Sequence, residues 1–357
     1  MKTYTDEQKA LLWLHSEDTL SWRVTEMLID REGSAALVWD HFGSQMESLM
    51  GKAWESLSEK RKQGPDYSVK QLEKLGCRAL FPEDNEYPER LKYIEDRPRL
   101  IYAKGTIPHA SSVAIVGSRR DTRYGKQNAF RIAAELSKEG VNVISGLARG
   151  IDTAAHEGAL SENGCTAAVL GCGIDLCYPP ENKVLLTNIL DKGGAILTEY
   201  PPGSQPVSYH FPLRNRIISG MADALLLIEA RLKSGTNSTV NYALSQGREV
   251  FCLPGNVDAP GSELPLKLLK EGASICTCGE DIMSHMGWKT NQTDLFSPPD
   301  ALASDDPILR LLSGEEKTFE ELLVETGMDV SELNAQLTIL QFTGKIAKHA
   351  GRTFSLL

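Results

Sequence analysis

The middle of the chain alternates between short apolar runs and longer stretches in which apolar residues recur at helical spacing. Residues 113–116 and 141–144 are apolar runs that each end at a turn containing glycine, which is typical of buried strands. Between them, residues 124–139 place apolar side chains such as Phe130 on one helical face until Gly140 interrupts the pattern. A strand, a helix and a second strand in this order predict a βαβ unit with parallel strands.

The same alternation continues to residue 276. Five further apolar runs have the length of strands and are separated by stretches of helical pattern or polar turns, at residues 166–170, 195–198, 224–228, 250–253 and 273–276. The helix after the second strand is expected to be capped by Asp152 or Thr153. The regular order predicts an α/β protein with an extended Rossmann-like, doubly wound sheet over residues 78–287. In such a sheet, ligands bind at the carboxyl ends of the strands.

The segment before this core has a different pattern. Residues 1–77 carry apolar residues at helical spacing and predict a helical module of the SAM or helix-hairpin-helix kind. The turn at residues 19–22 contains no glycine, so a packing or interaction role is favoured over phosphate binding. Residues 78–108 are punctuated by prolines and predict a connector that ends in one short strand.

The end of the chain predicts a linker and a small terminal domain. Residues 288–306 are polar and proline-containing, which is typical of a linker. Residues 307–357 follow the order of a helix, a helix-turn-helix and a hairpin, with a capping box beginning at Thr318, and predict a winged-helix-like domain. Its would-be recognition helix, residues 331–341, contains Glu332 but no lysine or arginine. Protein interaction is therefore favoured over reading a DNA groove.

Composition narrows the function classes. The 357 residues carry a net charge of −10 and seven cysteines, and no apolar run approaches the length needed to span a membrane. The amino terminus lacks the apolar core of a signal peptide, and the odd cysteine count fits no disulfide framework, so a reduced, cytoplasmic protein without a membrane partner is expected. Residues 101–304 hold 18 basic and 20 acidic side chains, so any polyanion site must be a local cluster.

Small and basic residues follow three of the predicted strands. Residues 117–119 read Gly-Ser-Arg, residues 146–150 read Gly-Leu-Ala-Arg-Gly, and residues 234–236 read Ser-Gly-Thr. Glycine lets a backbone approach an anion closely, and arginine adds a bidentate phosphate donor. One such segment is usually a tight turn with a solvated arginine, but several at neighbouring strand ends predict a polyanionic ligand.

A segment between the fourth and fifth strands combines aromatic and basic residues. A helix is predicted to begin at Arg214, and two arginines in its first turn, Arg214 and Arg216, oppose the helix dipole and indicate an anionic ligand. Phe211 is suited to stack a base. The alternative is a core phenylalanine with the arginines paired to Glu199 or Glu229. Because the two arginines face different directions, at most one is expected to reach the ligand while the other pairs with a core carboxylate.

The strand ends match two classes of nucleotide enzyme incompletely. A dinucleotide dehydrogenase needs G-x-G-x-x-G after the first strand, but the next glycine after Gly117 is Gly125. A phosphoribohydrolase-like enzyme would carry a P-G-G-x-G-T-x-x-E loop, whose nearest pieces here lie apart and lack the glutamate. The lone His156 is better explained by packing or capping than by base catalysis. No triad, metal set or cofactor motif is apparent, and a nucleotide-binding or hydrolysing Rossmann enzyme stays the alternative.

Six motifs, taken in order, resemble the DprA/Smf family of DNA-processing proteins. They are Val-Ala-Ile-Val-Gly-Ser-Arg, Ser-Gly-Leu-Ala-Arg-Gly-Ile-Asp, Gly-Cys-Gly-Ile-Asp before Tyr-Pro, Phe-Pro-Leu-Arg-Asn-Arg-Ile-Ile, Ser-Gly-Thr, and Pro-Gly before Glu-Gly-Ala. The resemblance covers about residues 85–280. It implies a core that binds single-stranded DNA, forms a homodimer, protects incoming DNA and helps load RecA recombinase during natural transformation. It implies no enzymatic activity and no cofactor.

The strand-end turns and the resemblance together give the candidate DNA contacts. These are Gly117, Ser118, Arg119, Gly146, Arg149, Lys183, Phe211, Arg214, Asn215, Arg216, Ser234, Gly235 and Thr236. Family members often have lysines where this chain has Ser208 and Pro180, and Lys183 is expected to compensate for the second. Four leucines crowd one short predicted helix and favour a dimer contact there: Leu264, Leu266, Leu268 and Leu269.

Overall fold

The computed structural model describes residues 2–288, 307–312, 316–342, 345–349 and 353–356. The chain divides into two compact units, Met1–Thr290 and Asn291–Leu357. The predicted linker at residues 288–306 lies outside the described residues, apart from Trp288. Within the described ranges, every helix is too short or too polar to cross a membrane.

The first unit begins with helices, as the apolar spacing predicts. They are α1 (Asp6–Leu14), α2 (Trp22–Glu32), α3 (Ala35–Asp40), α4 (Glu47–Met50), α5 (Ala53–Lys62) and α6 (Tyr67–Lys74). Trp13 lies at the centre of their apolar cluster, where its Nε1 donates to the carbonyl of Leu57 at 2.9 Å and its ring meets Trp39 edge-on at 4.9 Å. A buried indole with its donor satisfied explains how this small module holds a core of its own.

A nine-stranded sheet forms the centre of the first unit. Its strands are β1 (Arg78–Leu80), β2 (Ile101–Gly105), β3 (Ser112–Val116), β4 (Asn142–Ser145), β5 (Thr166–Val169), β6 (Ala195–Thr198), β7 (Ala224–Leu227), β8 (Glu249–Cys252) and β9 (Ser274–Ile275). The spatial order is β1-β2-β6-β5-β4-β3-β7-β8-β9, with all pairs parallel except β1–β2 and β2–β6. The predicted α/β class is confirmed, but the connector contributes two antiparallel strands where one was expected.

Helices cover both faces of the sheet. They are α7 (Arg123–Lys138), α8 (Ile151–Ser161), α9 (Lys183–Asp191), α10 (His210–Met221), α11 (Thr236–Ser245), α12 (Glu263–Lys270) and α13 (Gly279–His285). Val113 and Ile115 pack in one cluster with α7, α8 and α13, whereas Ala114 and Val116 pack in another with α10, α11 and α12. Burial on both faces is why the strands read as unbroken apolar runs.

Three local predictions differ from the structure. Helix α8 begins after Gly150, so neither Asp152 nor Thr153 is its N-cap, and no side chain caps it. The apolar helical face predicted for α7 includes Phe130, but this side chain is 40% exposed. Helix α10 begins four residues before Arg214, which places both of its arginines beyond the first turn. The helix-dipole argument for an anionic ligand therefore does not apply to them.

The order of the strands creates a crevice at one end of the sheet. From β3 the chain steps outward through β4, β5 and β6, and then returns to place β7 on the other side of β3. Ala114 of β3 is accordingly in register with Ile144 on one side and Leu225 on the other. The loops that follow β3 and β7 diverge at this switch point and leave room for a ligand.

The second unit is a small helical domain with a three-stranded sheet. It contains α14 (Pro307–Leu312), β10 (Lys317–Thr318), α15 (Phe319–Thr326), α16 (Val330–Phe342), β11 (Ile346–Lys348) and β12 (Thr353–Leu356). The sheet order β10-β12-β11 adds one strand to the predicted hairpin. The capping box is present, because Glu321 accepts from the Thr318 backbone N–H at 2.7 Å and the Thr318 side chain accepts from the Glu321 backbone N–H.

Candidate functional site

A cavity of about 790 Å³, here called the basic crevice, lies at the carboxyl ends of β3 and β7. Five basic side chains line it: Arg119, Arg120, Arg214, Arg231 and Lys233. Its two acidic side chains, Asp152 and Glu229, are buried. The excess of positive charge suits an anion. Sequence reasoning did not single out Arg120, Arg231 or Lys233, although each closely follows a predicted strand.

Arg119 lies over the ring of Phe211 at the mouth of the basic crevice. Its guanidinium carbon is 5.1 Å from the ring centroid, within the range of a cation–π contact. Just before it, the carbonyl of Ser118 accepts from the backbone N–H of Ile151 at 3.2 Å, and the Ser118 hydroxyl accepts from the Arg120 N–H at 3.0 Å. These bonds fix the turn from which Arg119 projects.

Phe211 is held from behind by backbone. The ring packs against the backbone of Gly171. A Cβ atom at this position would lie 2.9 Å from the Phe211 Cδ1, so any residue other than glycine would displace the ring. Tyr178 contacts the same ring at a centroid distance of 5.5 Å. The aromatic ring is therefore half-buried, with contacts to Gly171, Tyr178 and Arg119.

The loop after β4 is held in a strained conformation. Leu147 has a φ of 57°, in the left-handed region that non-glycine residues rarely adopt. Its carbonyl accepts from the Asn182 side chain at 2.9 Å. The Asp152 carboxylate accepts from the backbone N–H groups of Gly146 at 3.1 Å and Ala148 at 3.4 Å. Neither Asn182 nor Asp152 was predicted as a site residue.

Arg214 lies beneath the floor of the basic crevice. Its side chain is 3% exposed, and Nη1 donates to the carbonyls of Gly146 at 2.9 Å and Val169. Burial lowers the pKa of Arg214 to about 10, and the nearby Asp152 carboxylate opposes that shift. Burial likewise raises the pKa of Asp152, while Arg214 acts to lower it. A Cβ at Gly146 would come within 2.7 Å of Nη2, so this position has no room for a side chain.

Arg216 lies outside the basic crevice. It is 9% exposed and donates from Nη2 to both carboxylate oxygens of Glu199, at 2.7 and 2.8 Å. Its Nε donates to the carbonyl of Asp96 at 2.9 Å. The structure thus places Arg214 at the crevice and Arg216 in an ion pair elsewhere, and both side chains are buried.

Two further candidates, Arg149 and Lys183, are exposed but do not line the basic crevice. Arg149 forms an ion pair with Glu181. Lys183 is the first residue of α9. Any contact that these two residues make with a ligand in the crevice requires the ligand to extend beyond its lining.

The start of α11 closes one side of the basic crevice. Ser234, Gly235 and Thr236 all line it, and the Thr236 hydroxyl donates to the carbonyl of Gly117 at 3.1 Å. Asn215 ties α10 to this turn by donating to the Ser238 hydroxyl at 2.9 Å. Within the described residues, the buried Oγ of Ser234 has no hydrogen-bond partner.

The carboxylates of the basic crevice are already engaged. Glu229 accepts from both the backbone N–H and the hydroxyl of Thr122, and Asp152 holds the loop after β4. His156 lies away from the crevice lining and its Nδ1 is 2.8 Å from the Thr166 hydroxyl. Burial lowers the pKa of His156 to about 3, as expected of a packed imidazole. The arrangement is suited to binding an anion through arginines and backbone N–H groups.

Two family models match the chain. Residues 78–287 match the model described as DNA recombination-mediator protein A, and residues 295–352 match the DprA winged helix domain. Protein Smf of Escherichia coli K12 is 39% identical over 283 residues, covering 76% of each chain. DNA processing protein DprA of Streptococcus pneumoniae is 40% identical over 203 residues, covering 56% of this chain and 71% of the relative.

Two solved structures have a similar fold. The X-ray structure of DprA from Streptococcus pneumoniae superimposes with a TM-score of 0.63 at 30% identity and covers 79% of this chain and 98% of that one. A Helicobacter pylori DprA structure, described for its single-stranded DNA binding mode, gives a TM-score of 0.53 at 30% identity over 59% and 95% of the two chains. The family matches, the identities and the shared fold agree, and the chain belongs to the DNA recombination-mediator protein A family, also called DprA or Smf.

Proposed function

We propose that this protein binds single-stranded DNA in the basic crevice, without strong sequence preference and without catalysing a reaction. The observation that carries the proposal is the contact between Arg119 and Phe211 at the mouth of a cavity with excess positive charge. An arginine beside an accessible aromatic ring is the combination that single-strand binding proteins use to hold a phosphate and stack a base, and the ring of Phe211 is half-buried. The Helicobacter pylori relative is described as binding the same ligand.

Different residues of the crevice contact different parts of the DNA. Arg119 and Arg120 hold phosphates from the turn after β3, and the backbone N–H groups of residues 234–236 add donors at the start of α11. Phe211 stacks a base on the part of its ring that Arg119 leaves open. Arg214 contributes positive charge from below the floor, where its guanidinium is fixed by carbonyl oxygens.

We further propose that this binding serves recombination in the cytoplasm. In this role the protein protects incoming DNA during natural transformation and helps load RecA recombinase as a homodimer. Its membership of the recombination-mediator family supports this role. For the dimer, α12 offers less surface than the sequence suggested, because Leu264 and Leu268 are buried in the core of their own chain, whereas Leu266 and Leu269 are half-buried.

Fluorescence anisotropy with a labelled thymidine oligonucleotide tests the proposal. We expect saturable binding of the single strand, weaker binding of a duplex of equal length, and a steep decrease with salt. Base release from nucleoside monophosphates, followed by chromatography, tests the alternative of a nucleotide-hydrolysing Rossmann enzyme. Steady turnover in the absence of oligonucleotide binding would replace the present proposal with that alternative.

Replacing Glu181 by glutamine is expected to strengthen DNA binding. The change removes the carboxylate that pairs with Arg149 and frees this exposed arginine for a phosphate beyond the crevice lining. The log–log salt slope should become steeper by about 0.7, the value of one added phosphate contact on a single strand. Glu157→Gln on the exposed side of α8 is the matched control. An unchanged slope would show that the DNA does not reach Arg149.

A further inference from the structure

A second cavity, of about 1050 Å³, lies between the helical module and the core. The turn between α1 and α2 and the start of α2 form its outer wall. The segment before β2, the end of β6 and the first half of α10 form its inner wall. None of its lining residues belongs to the lining of the basic crevice.

The charge of this second cavity is opposite to that of the basic crevice, and we call it the acidic cavity. Six carboxylates and four cations line it: Glu17, Asp18, Glu26, Glu95, Asp96 and Glu199 with Lys92, Arg97, Arg99 and Arg216. Two of the cations are committed to two of the acids, Arg99 to Glu26 and Arg216 to Glu199. Among the described residues, the exposed carboxylates of Glu95 and Asp96 form no ion pair. Six acids against four cations leave an excess of two negative charges in the lining, which disfavours a phosphate-bearing ligand.

Aromatic side chains supply the rest of the wall. Trp22, Tyr209 and Tyr242 line the acidic cavity together with a stacked pair, Tyr200 and His210, whose rings are 3.8 Å apart. Tyr209 is 61% exposed. Aromatic faces beside carboxylates attract cations and pack well against proline rings.

Two buried polar atoms in this wall lack partners. Within the described residues, neither Nε1 of Trp22 nor Nδ1 of His210 has a hydrogen-bond partner. A buried polar group without a partner is destabilising, and a partner supplied by a ligand removes that cost. An indole N–H can only donate, so an acceptor such as a peptide carbonyl oxygen satisfies Trp22 once a bound segment displaces the side chains that cover Nε1.

We propose that the acidic cavity binds an extended, basic segment of a partner protein. A peptide carbonyl supplies the acceptor that the Trp22 N–H lacks, and lysine or arginine side chains complement Glu95, Asp96 and the tyrosine faces. A nucleotide would stack on the aromatic side chains, but its phosphate has the wrong charge for the cavity. A free organic cation has the right charge but offers no acceptor to the indole N–H. The site would let the protein hold DNA and a protein partner on separate surfaces.

A fluorescein-labelled peptide, Gly-Arg-Pro-Ala-Arg-Pro-Gly, serves as the probe for the full-length protein. We expect saturable anisotropy, and no saturation with the peptide in which both arginines are glutamates. Glu95→Lys should weaken binding about three- to tenfold, as expected when an attractive charge becomes a repulsive one. Trp22→Phe keeps an aromatic ring, although a smaller one, but removes the donor and should weaken binding about two- to tenfold. Glu157→Lys, an exposed acid on α8 outside the cavity, should leave peptide affinity unchanged.

The same assay separates this site from the basic crevice. Arg119→Ala should leave peptide binding unchanged, and an excess of thymidine oligonucleotide should not displace the peptide. Equal weakening by Glu95→Lys and Glu157→Lys would show that the peptide binds through general charge, and the proposal would be wrong. If the oligonucleotide displaces the peptide, the cavity binds nucleic acid instead. The same conclusion follows if Trp22→Phe abolishes binding of the oligonucleotide. The proposal would also be wrong if neither Glu95→Lys nor Trp22→Phe changes the affinity for the peptide.

Discussion

Replacing Phe211 by alanine is expected to weaken single-stranded DNA binding by about 1–3 kcal/mol, the measured range for loss of one base–aromatic stack. The salt dependence should not change, because stacking releases no counterions. Arg119→Ala should also weaken binding, and it should lower the log–log salt slope by about 0.7 through loss of one phosphate contact. Because the Arg119 guanidinium lies 5.1 Å from the Phe211 ring centroid, the double variant should lose less than the sum of the two single losses.

Anisotropy titrations over a salt series, with the four proteins of this cycle, measure these effects. Lys138→Ala is the control, since this exposed lysine lies at the carboxyl end of α7 and outside the crevice lining. Thermal unfolding of each variant confirms that the fold is intact. If Arg119→Ala and Phe211→Ala both bind like the wild type at every salt concentration, the DNA binds elsewhere.

Arg214→Met is expected to lower the free energy of unfolding by about 3–5 kcal/mol, because it removes the positive charge that most favours the ionised form of the buried Asp152 carboxylate. Two carbonyl oxygens, of Gly146 and Val169, lose their donor in the same step. The sequence predicts that at most one of Arg214 and Arg216 reaches the ligand while the other pairs with a core carboxylate. Since the structure buries both, we now expect Arg216→Met to lose stability as well, by unpairing Glu199.

Urea unfolding of Arg214→Met, with and without Asp152→Asn, tests the origin of this loss. Asparagine can still accept from the Gly146 N–H but carries no charge, so it should recover part of the stability in the Arg214→Met background. In the wild-type background the same Asp152→Asn change should destabilise. Arg120→Met, which removes an exposed arginine of the same crevice, is the control. A loss below 1 kcal/mol for Arg214→Met would mean that Arg214 does not stabilise the floor of the crevice.

The strands of the sheet could be predicted from the sequence because the parallel strands are buried on both faces. Burial on two faces produces unbroken apolar runs such as residues 113–116, which alternating exposure would have hidden. The strand β1 was missed for the opposite reason, since Arg78–Leu80 is three residues long, sits at a sheet edge and begins with a charged side chain. Strand β10 has only two residues and is likewise too short to carry a pattern.

The site was only partly readable because sequence patterns describe elements and not the contacts between them. The glycine-arginine turn in the sequence predicts Arg119 at the end of a strand. The strand order then puts this strand end at the switch point of the sheet. No local pattern indicated that Arg214 would be buried under Gly146, because their contact joins residues 68 positions apart. The support that Asn182 gives to Leu147 is non-local in the same way.

The strained backbone at Leu147 indicates that the loop after β4 is ordered before DNA binds. A non-glycine residue in the left-handed region is about 1–3 kcal/mol less stable than in its preferred conformation, and it persists only where its surroundings enforce it. Here Asn182 and Asp152 enforce it through hydrogen bonds that lie within the protein itself. Preorganisation of this kind means that the strand end loses little conformational entropy when DNA arrives. Even short oligonucleotides should therefore bind without an induced ordering step, and their association should follow a single exponential.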